Sequence, residues 1–444
     1  MDQKTTSLSS LSTPLSTAVS GWLLLIMLML SLIAALTHAV PAYIAGIPVW
    51  LAAALFIRRQ RQNQRIQSVL LFTLGIGGLA IGVYQGVDHR YLIKALEANQ
   101  LVVALLVGVS FLRIIATAGI QSDEHLPPGR KPLLGTLFGT HLIAAVINIS
   151  SIMIVGDRLN DRRALTPLQG LTLLRAFSIC ACWSPFFAAM GVVLISAPGA
   201  RPGTLILYGL PTALIALLLS AWQIARHPDT HQTYGFPMHF SALWMPLSLA
   251  ALVIIAHKYW PAQSVITLVT LISILFTLSY LLLSQRKSGV GDLKKHIQDG
   301  LPRLGSEVTL FLAAAVLASG VAALLESLQI RLAPEHFTAP EACLTLLSLV
   351  GLALIGMHPV TSAVLAGSIL MPSVSDPNLL GITLLLSWSI GVGLSPFSGV
   401  QLSLQSRYGI SATALMKLNR SYGPLMLSVG FAVIWIYSYM TGLS

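Results

Sequence analysis

Two Ser-Pro-Phe steps, Ser184-Pro185-Phe186 and Ser395-Pro396-Phe397, stand 211 positions apart. Each follows a polar stretch at the same interval, Asn148-Ile149-Ser150-Ser151 before the first and Pro359-Val360-Thr361-Ser362 before the second. Gly156 and Leu159 meet Gly367 and Leu370 at that offset, so two breaks and their separation are duplicated together. Such residues offer ligand coordination without a buried acid. A proline within an apolar helix removes a backbone donor and frees carbonyls that suit cations. The half-helix beyond a break presents N–H groups that suit anions. Hydroxyls serve as donor or acceptor. Paired interruptions in two halves of a membrane chain point to a transport site near the bilayer midplane.

The candidate substrate-contacting residues are therefore Asn148, Ser150, Ser151, Ser184, Pro185, Thr361, Ser362, Ser395, Pro396 and Ser398. His358, just before Pro359, is a candidate for proton coupling or substrate contact, or a structural histidine; imidazole titrates in the physiological range. Arg175 lies about three turns into an apolar span, where a cation is costly without a partner. It binds an anionic substrate, snorkels toward headgroups or pairs with a loop acid. Glu97, Glu307, Glu326, Glu341 and Asp376 all fall at span ends or in loops. A cation/proton exchanger needs a mid-membrane carboxylate where the two ions compete, so anion transport fits better. No paired-carboxylate, activated-nucleophile or metal-ligand constellation points to an enzyme or a resident cofactor.

The elements that position these residues follow from composition. Charged residues make up 9% of the chain and hydrophobic ones 55%, and apolar runs of about 20 residues recur, long enough to cross the hydrocarbon core. The net charge of +11 resides in short interspan loops, so it sets orientation and does not indicate nucleic acid. Spans are expected near 21–38, 43–57, 67–85, 100–118, 166–195, 203–225, 238–256, 262–284, 308–328, 380–404 and 424–441. The stretches 132–156 and 341–372 are broken within and read as re-entrant hairpins. The fold class is thus an all-α polytopic membrane protein of about eleven transmembrane helices plus two hairpins in an inverted-topology repeat. The positive-inside rule places Arg58 to Arg61, Arg130-Lys131, Arg158 to Arg163 and the 286–303 linker in the cytoplasm if 132–156 enters and leaves by one side. The first hairpin then opens inward and the second outward, with the N-terminus cytoplasmic and the C-terminus external. The expected organisation is a tail and two scaffold helices over 1–66, repeat one over 67–237, a connecting helix over 238–261, and repeat two over 262–444. A short surface helix is expected at 292–298.

This order of spans and hairpins, with Trp183-Ser184-Pro185-Phe186-Phe187 and Leu394-Ser395-Pro396-Phe397-Ser398-Gly399, resembles the ion transporter superfamily over about residues 20–441. That group holds the divalent anion/sodium symporters, citrate transporters, and arsenite and sodium/proton antiporters. The resemblance implies an inner-membrane homodimer with a fixed scaffold and a transport domain moving as an elevator. It also implies sodium near Ser151 and Ser362. The symporters carry Ser-Asn-Thr at each hairpin tip, whereas this chain has Ser150-Ser151-Ile152 and Thr361-Ser362-Ala363. The resemblance therefore carries the architecture, not the cargo or the choice between sodium and protons. The expected activity is secondary transport of a small organic or inorganic anion. Alternatives are export of a neutral oxyacid, drug or lipid-linked metabolite, or a receptor or scaffold without transport.

Overall fold

The computed structural model describes residues 12–118, 126–161, 163–236, 244–284 and 289–443. Residues 1–11 of the tail, Arg162, residues 238–243 of one expected span, and residues 285–288 with Arg286 lie outside the described residues. In chain order the helices begin with α1 (Ser12–Thr37), α2 (Ala42–Ile57), α3 (Gln62–Tyr84), α4 (Arg90–Glu97), α5 (Gln100–Ser110) and α6 (Leu112–Ala118). Next come α7 (Arg130–Ile147), α8 (Ser150–Asn160), α9 (Pro167–Ser178), α10 (Ala188–Ser196), α11 (Pro202–Ala225), α12 (Trp244–Tyr259) and α13 (Val265–Ser284). The chain continues through α14 (Gly289–Lys295), α15 (Gly305–Ser327), α16 (Ala339–Leu354), α17 (Pro359–Leu370) and α18 (Pro377–Leu394). It ends with α19 (Gly399–Tyr408), α20 (Ala412–Leu418) and α21 (Tyr422–Thr441).

The protein is an all-α polytopic membrane protein; the β pairing among the described residues is one isolated bridge, Pro128 to Tyr234. Among the described residues, eight helical stretches are long and apolar enough to span a bilayer. Fewer than the expected eleven reach that length, for a physical reason. α2 has 16 residues, about 24 Å at 1.5 Å per residue, which is short of the ~30 Å hydrocarbon core, and the expected span 238–256 is described only from Trp244 onward. The expected span 166–195 is divided into α9, a 3₁₀ turn over Ile179–Cys182, and α10. The linker helix begins earlier than expected, at Gly289, and runs into a π turn over His296–Gly300.

Two compact units divide the chain: Met1–Ala118 with Leu252–Arg331, and Gly119–Ala251 with Leu332–Ser444. These units cut across the sequence repeats, and each takes helices from both. In the first unit α3 lies directly on α15. A Cβ on Gly75, Gly78 or Gly320 would strike the facing backbone, at Val316, Gly320 and Gly75 respectively. Glycine at these positions lets two helices approach at backbone contact, which maximises dispersion where lipid provides no hydrophobic drive. α4, which the apolar pattern did not reveal, packs its carbonyl edge on α2: Trp50 Nε1 donates to Ala95 O at 3.3 Å, and Gly46 abuts the Leu96 backbone.

The second unit holds both expected hairpins and both broken helices. α7 and α8 form the first hairpin, turning at Asn148-Ile149. α16 and α17 form the second, turning through Ile355 to His358. The turns are built differently. Asn148 adopts φ 53° with ψ −139°, outside the left-handed helical well and in a conformation that favours glycine, while the longer outer turn uses Gly356 at φ 106°. A capping box of Thr338 and Glu341 starts α16, and one of Thr166 and Gln169 starts α9.

Candidate functional site

Each Ser-Pro step is a built joint. Ser395 Oγ donates to Ala353 O, on the first arm of its hairpin, at 2.6 Å, and accepts from Phe397 N at 3.2 Å. Ser184 Oγ likewise donates to Ala145 O and accepts from Phe186 N at 3.2 Å. A hydroxyl has one donor, so both serines spend theirs within the protein. They fix the hairpin to the break, and only a lone pair is left for a ligand. The paired residues lie 39 positions apart in the first repeat and 42 in the second. The 211-residue register therefore holds from the second arm onward, and the first arm is displaced by the longer outer turn. Pro185 and Pro396 follow these serines, in the unwound steps between α9 and α10 and between α18 and α19.

The hairpin tips divide their hydroxyls the same way in both halves. Ser151 Oγ donates to Asn148 O at 2.7 Å, and its counterpart Ser362 Oγ donates to Pro359 O at 3.2 Å. Asn148 and Pro359 are themselves 211 positions apart. The neighbouring pair, Ser150 and Thr361, opens the first turn of α8 and α17. Thr361 is 1% exposed, and its hydroxyl has no partner among the described residues. A buried hydroxyl left so costs about 1–3 kcal/mol. Tips with unwound carbonyls and helix N-termini supply oxygen donors for sodium and N–H donors for an anion.

Other candidates are held as follows. Asn148 Nδ2 donates to Phe186 O at 3.0 Å, tying the first tip to the first break. Ser398 is the N-cap of α19, accepting from Gln401 N at 3.4 Å. His358 caps α17: Nδ1 accepts from Val360 N at 3.2 Å, and the ring meets Trp388 edge-on at 6.4 Å. Nδ1 as acceptor is unprotonated, so proton uptake there breaks the cap. His141 is buried, with Nδ1 2.9 Å from Ala176 O and Nε2 accepting from Trp183 Nε1 at 3.2 Å, which fixes a neutral tautomer. Arg175 is fully buried and has no carboxylate among its described partners. Nε donates to Asn419 Oδ1 at 2.9 Å, Nη2 to Leu418 O at 3.4 Å, and the guanidinium lies 4.1 Å over the Tyr422 ring. Asn419 Nδ2 and Gln401 Nε2 both donate to Gly393 O, at 3.0 and 3.1 Å, just before the second break.

Sequence reasoning did not reach the contacts that cross between repeats. Gly156, on the second arm of the first hairpin, packs on the Tyr408 ring of α19, whose hydroxyl donates to Met153 O at 3.1 Å. Gly367, its counterpart, packs on the Ser196 backbone at the end of α10. Each second arm thus lies against the far half of the other repeat's broken helix. The near halves cross as well: Gly393 faces Ser178, and Ser389 lies beside the Cys182 thiol. Ser178 and Ser389, and Cys182 and Gly393, are again 211 apart, so these contacts are two copies of one arrangement about a pseudo-two-fold axis. The glycines at 156 and 367 were the available signal, since a duplicated glycine marks a duplicated close approach.

No protein-family model and no curated protein matches this chain. Among solved structures, that of the Alcanivorax borkumensis YdaH transporter superposes with a TM-score of 0.44 at 14% identity, covering 83% of this chain and 84% of that one.

Proposed function

We propose that the protein is a secondary active transporter of a small organic or inorganic anion, of the type the resemblance to the ion transporter superfamily suggests. The observation that carries this reading is the duplicated joint: two hairpin tips and two helix breaks within one compact unit, tied by equivalent serine bonds and packed crosswise. Freed backbone at membrane depth is tolerated only where protein, water or ligand meets it. In this reading the N-terminal turns of α8 and α17 and the hydroxyls of Ser150 and Thr361 face the anion. The hairpins are re-entrant from opposite sides, and the second unit moves against a dimeric scaffold. Coupling runs through sodium at the tip carbonyls of Asn148 and Pro359 or through a proton at His358.

The test is flux into proteoliposomes of purified protein, across a panel of carboxylates, sulfate, phosphate and other oxyanions, under sodium and proton gradients. Gradient-dependent uptake that Thr361→Val reduces and Thr361→Ser retains supports the reading. Absence of flux for the whole panel sinks it.

A further inference from the structure

A second feature of the same unit is independent of the cargo reading. A cavity of about 480 Å³ lies among α9, the end of α11 and its following turn, and the α20–α21 junction. Arg175, Arg226 and His227 line it, and no carboxylate does. Arg175 is 0% exposed, and its Nη1 has no hydrogen-bond partner among the described residues, although Nε and Nη2 are both engaged. A buried guanidinium with an orphan N–H is costly to hold, and an anion at that atom offsets the cost. Arg226 stacks on Trp222 at 4.6 Å, and His227 faces Asp229 at 3.8 Å.

The exposed lining of the cavity is mixed, with Arg226 and Ser421 beside the apolar Trp222, Pro228 and Leu425. Trp222 and Leu425 are half-exposed beside it, and α11 extends an exposed strip through Leu214 and Leu218, eight and four residues before Trp222. Residues at that spacing share one helix face. A polar phosphate therefore meets the exposed Arg226 and the buried Arg175 beside it, and hydrocarbon meets the exposed apolar strip of α11. A basic pocket between spans joined to such a strip fits an anionic phospholipid.

We infer that the cavity bounded by Arg175, Arg226 and Trp222 is a site for an anionic phospholipid, with its phosphate at the two arginines and an acyl chain along Leu218 and Leu214 of α11.

The test uses full-length protein in detergent, titrated with a short-chain phosphatidylglycerol, the matching phosphatidylcholine and inorganic phosphate, with binding read by native mass spectrometry. Phosphatidylglycerol is expected to bind about tenfold tighter than phosphatidylcholine, the ratio one charge-assisted contact provides. Arg175→Gln and Arg226→Gln should each reduce that preference about tenfold; Arg226 is exposed, so its variant folds even if the Arg175 variant does not. Inorganic phosphate should not compete. Equal binding of the two lipids, a preference unchanged in Arg226→Gln, or displacement by inorganic phosphate at comparable concentration would overturn the assignment.

Discussion

Thr361→Val separates a ligand hydroxyl from a structural one. Valine keeps the branched shape and removes only the hydroxyl, which is buried and unpartnered among the described residues. Removing a desolvated, unsatisfied hydroxyl relieves roughly 1–3 kcal/mol, so the ligand-free variant should be more stable, not less. The same hydroxyl donating to a bound anion contributes about 1.5–3 kcal/mol, so affinity should fall roughly tenfold to a hundredfold. Thermal unfolding without ligand and initial uptake rates below saturation read the two effects on one preparation. Thr361→Ser retains the donor and should transport near the wild-type rate. A Thr361→Val protein that is less stable and transports normally would refute the argument, because its hydroxyl would then have a structural partner.

Four further outcomes follow from the same geometry. Ser184→Ala and Ser395→Ala each remove a buried bond to the hairpin's first arm, but Ala353 O keeps its bond from Gly356 N and Phe397 N is only half-buried, so Ser184→Ala should lower stability more, by about 1–3 kcal/mol, as read by denaturant or thermal unfolding. Gly367→Ala should reduce folded yield more than Gly156→Ala, since its Cβ meets the Ser196 backbone while that of Gly156 meets a Tyr408 ring that can shift; gel filtration after extraction measures this. Gly320→Leu should prevent accumulation of folded protein by separating α15 from α3, seen as loss of the monodisperse peak. Asp157→Asn should cost no more than about 1 kcal/mol, because its 2.6 Å pair with Arg407 is solvent-exposed, and unfolding in high salt should narrow the difference further.

Local signals carried much of this architecture. Apolar runs located the long helices, and Asn148, Pro359 and the two Ser-Pro steps marked where the chain departs from helix, because those residue types alter backbone freedom within one turn; Gly356, which makes the outer turn, was not singled out. α4 was not legible, since eight residues of mixed polarity make too short a periodic signal. Nor was the three-residue displacement of the first arm, which depends on which carbonyl Ser395 reaches. Arg175 illustrates the limit best. Its type and depth announced a buried cation, but its main partner, Asn419, lies 244 positions away and bears no charge. The grouping of 119–251 with 332–444 is similarly a property of long-range packing.

The central claim is that the duplicated tips and breaks bind a small anion. It is tested most directly by a thermal-shift screen of the wild-type protein against carboxylates, sulfate, phosphate and oxyanions, with and without sodium and at two pH values. A ligand that binds the native state raises its unfolding temperature. At least one small anion is expected to stabilise the protein, by an increment that changes with sodium or with pH. Stabilisation by neutral or lipophilic compounds, with every anion silent under all conditions, would contradict it.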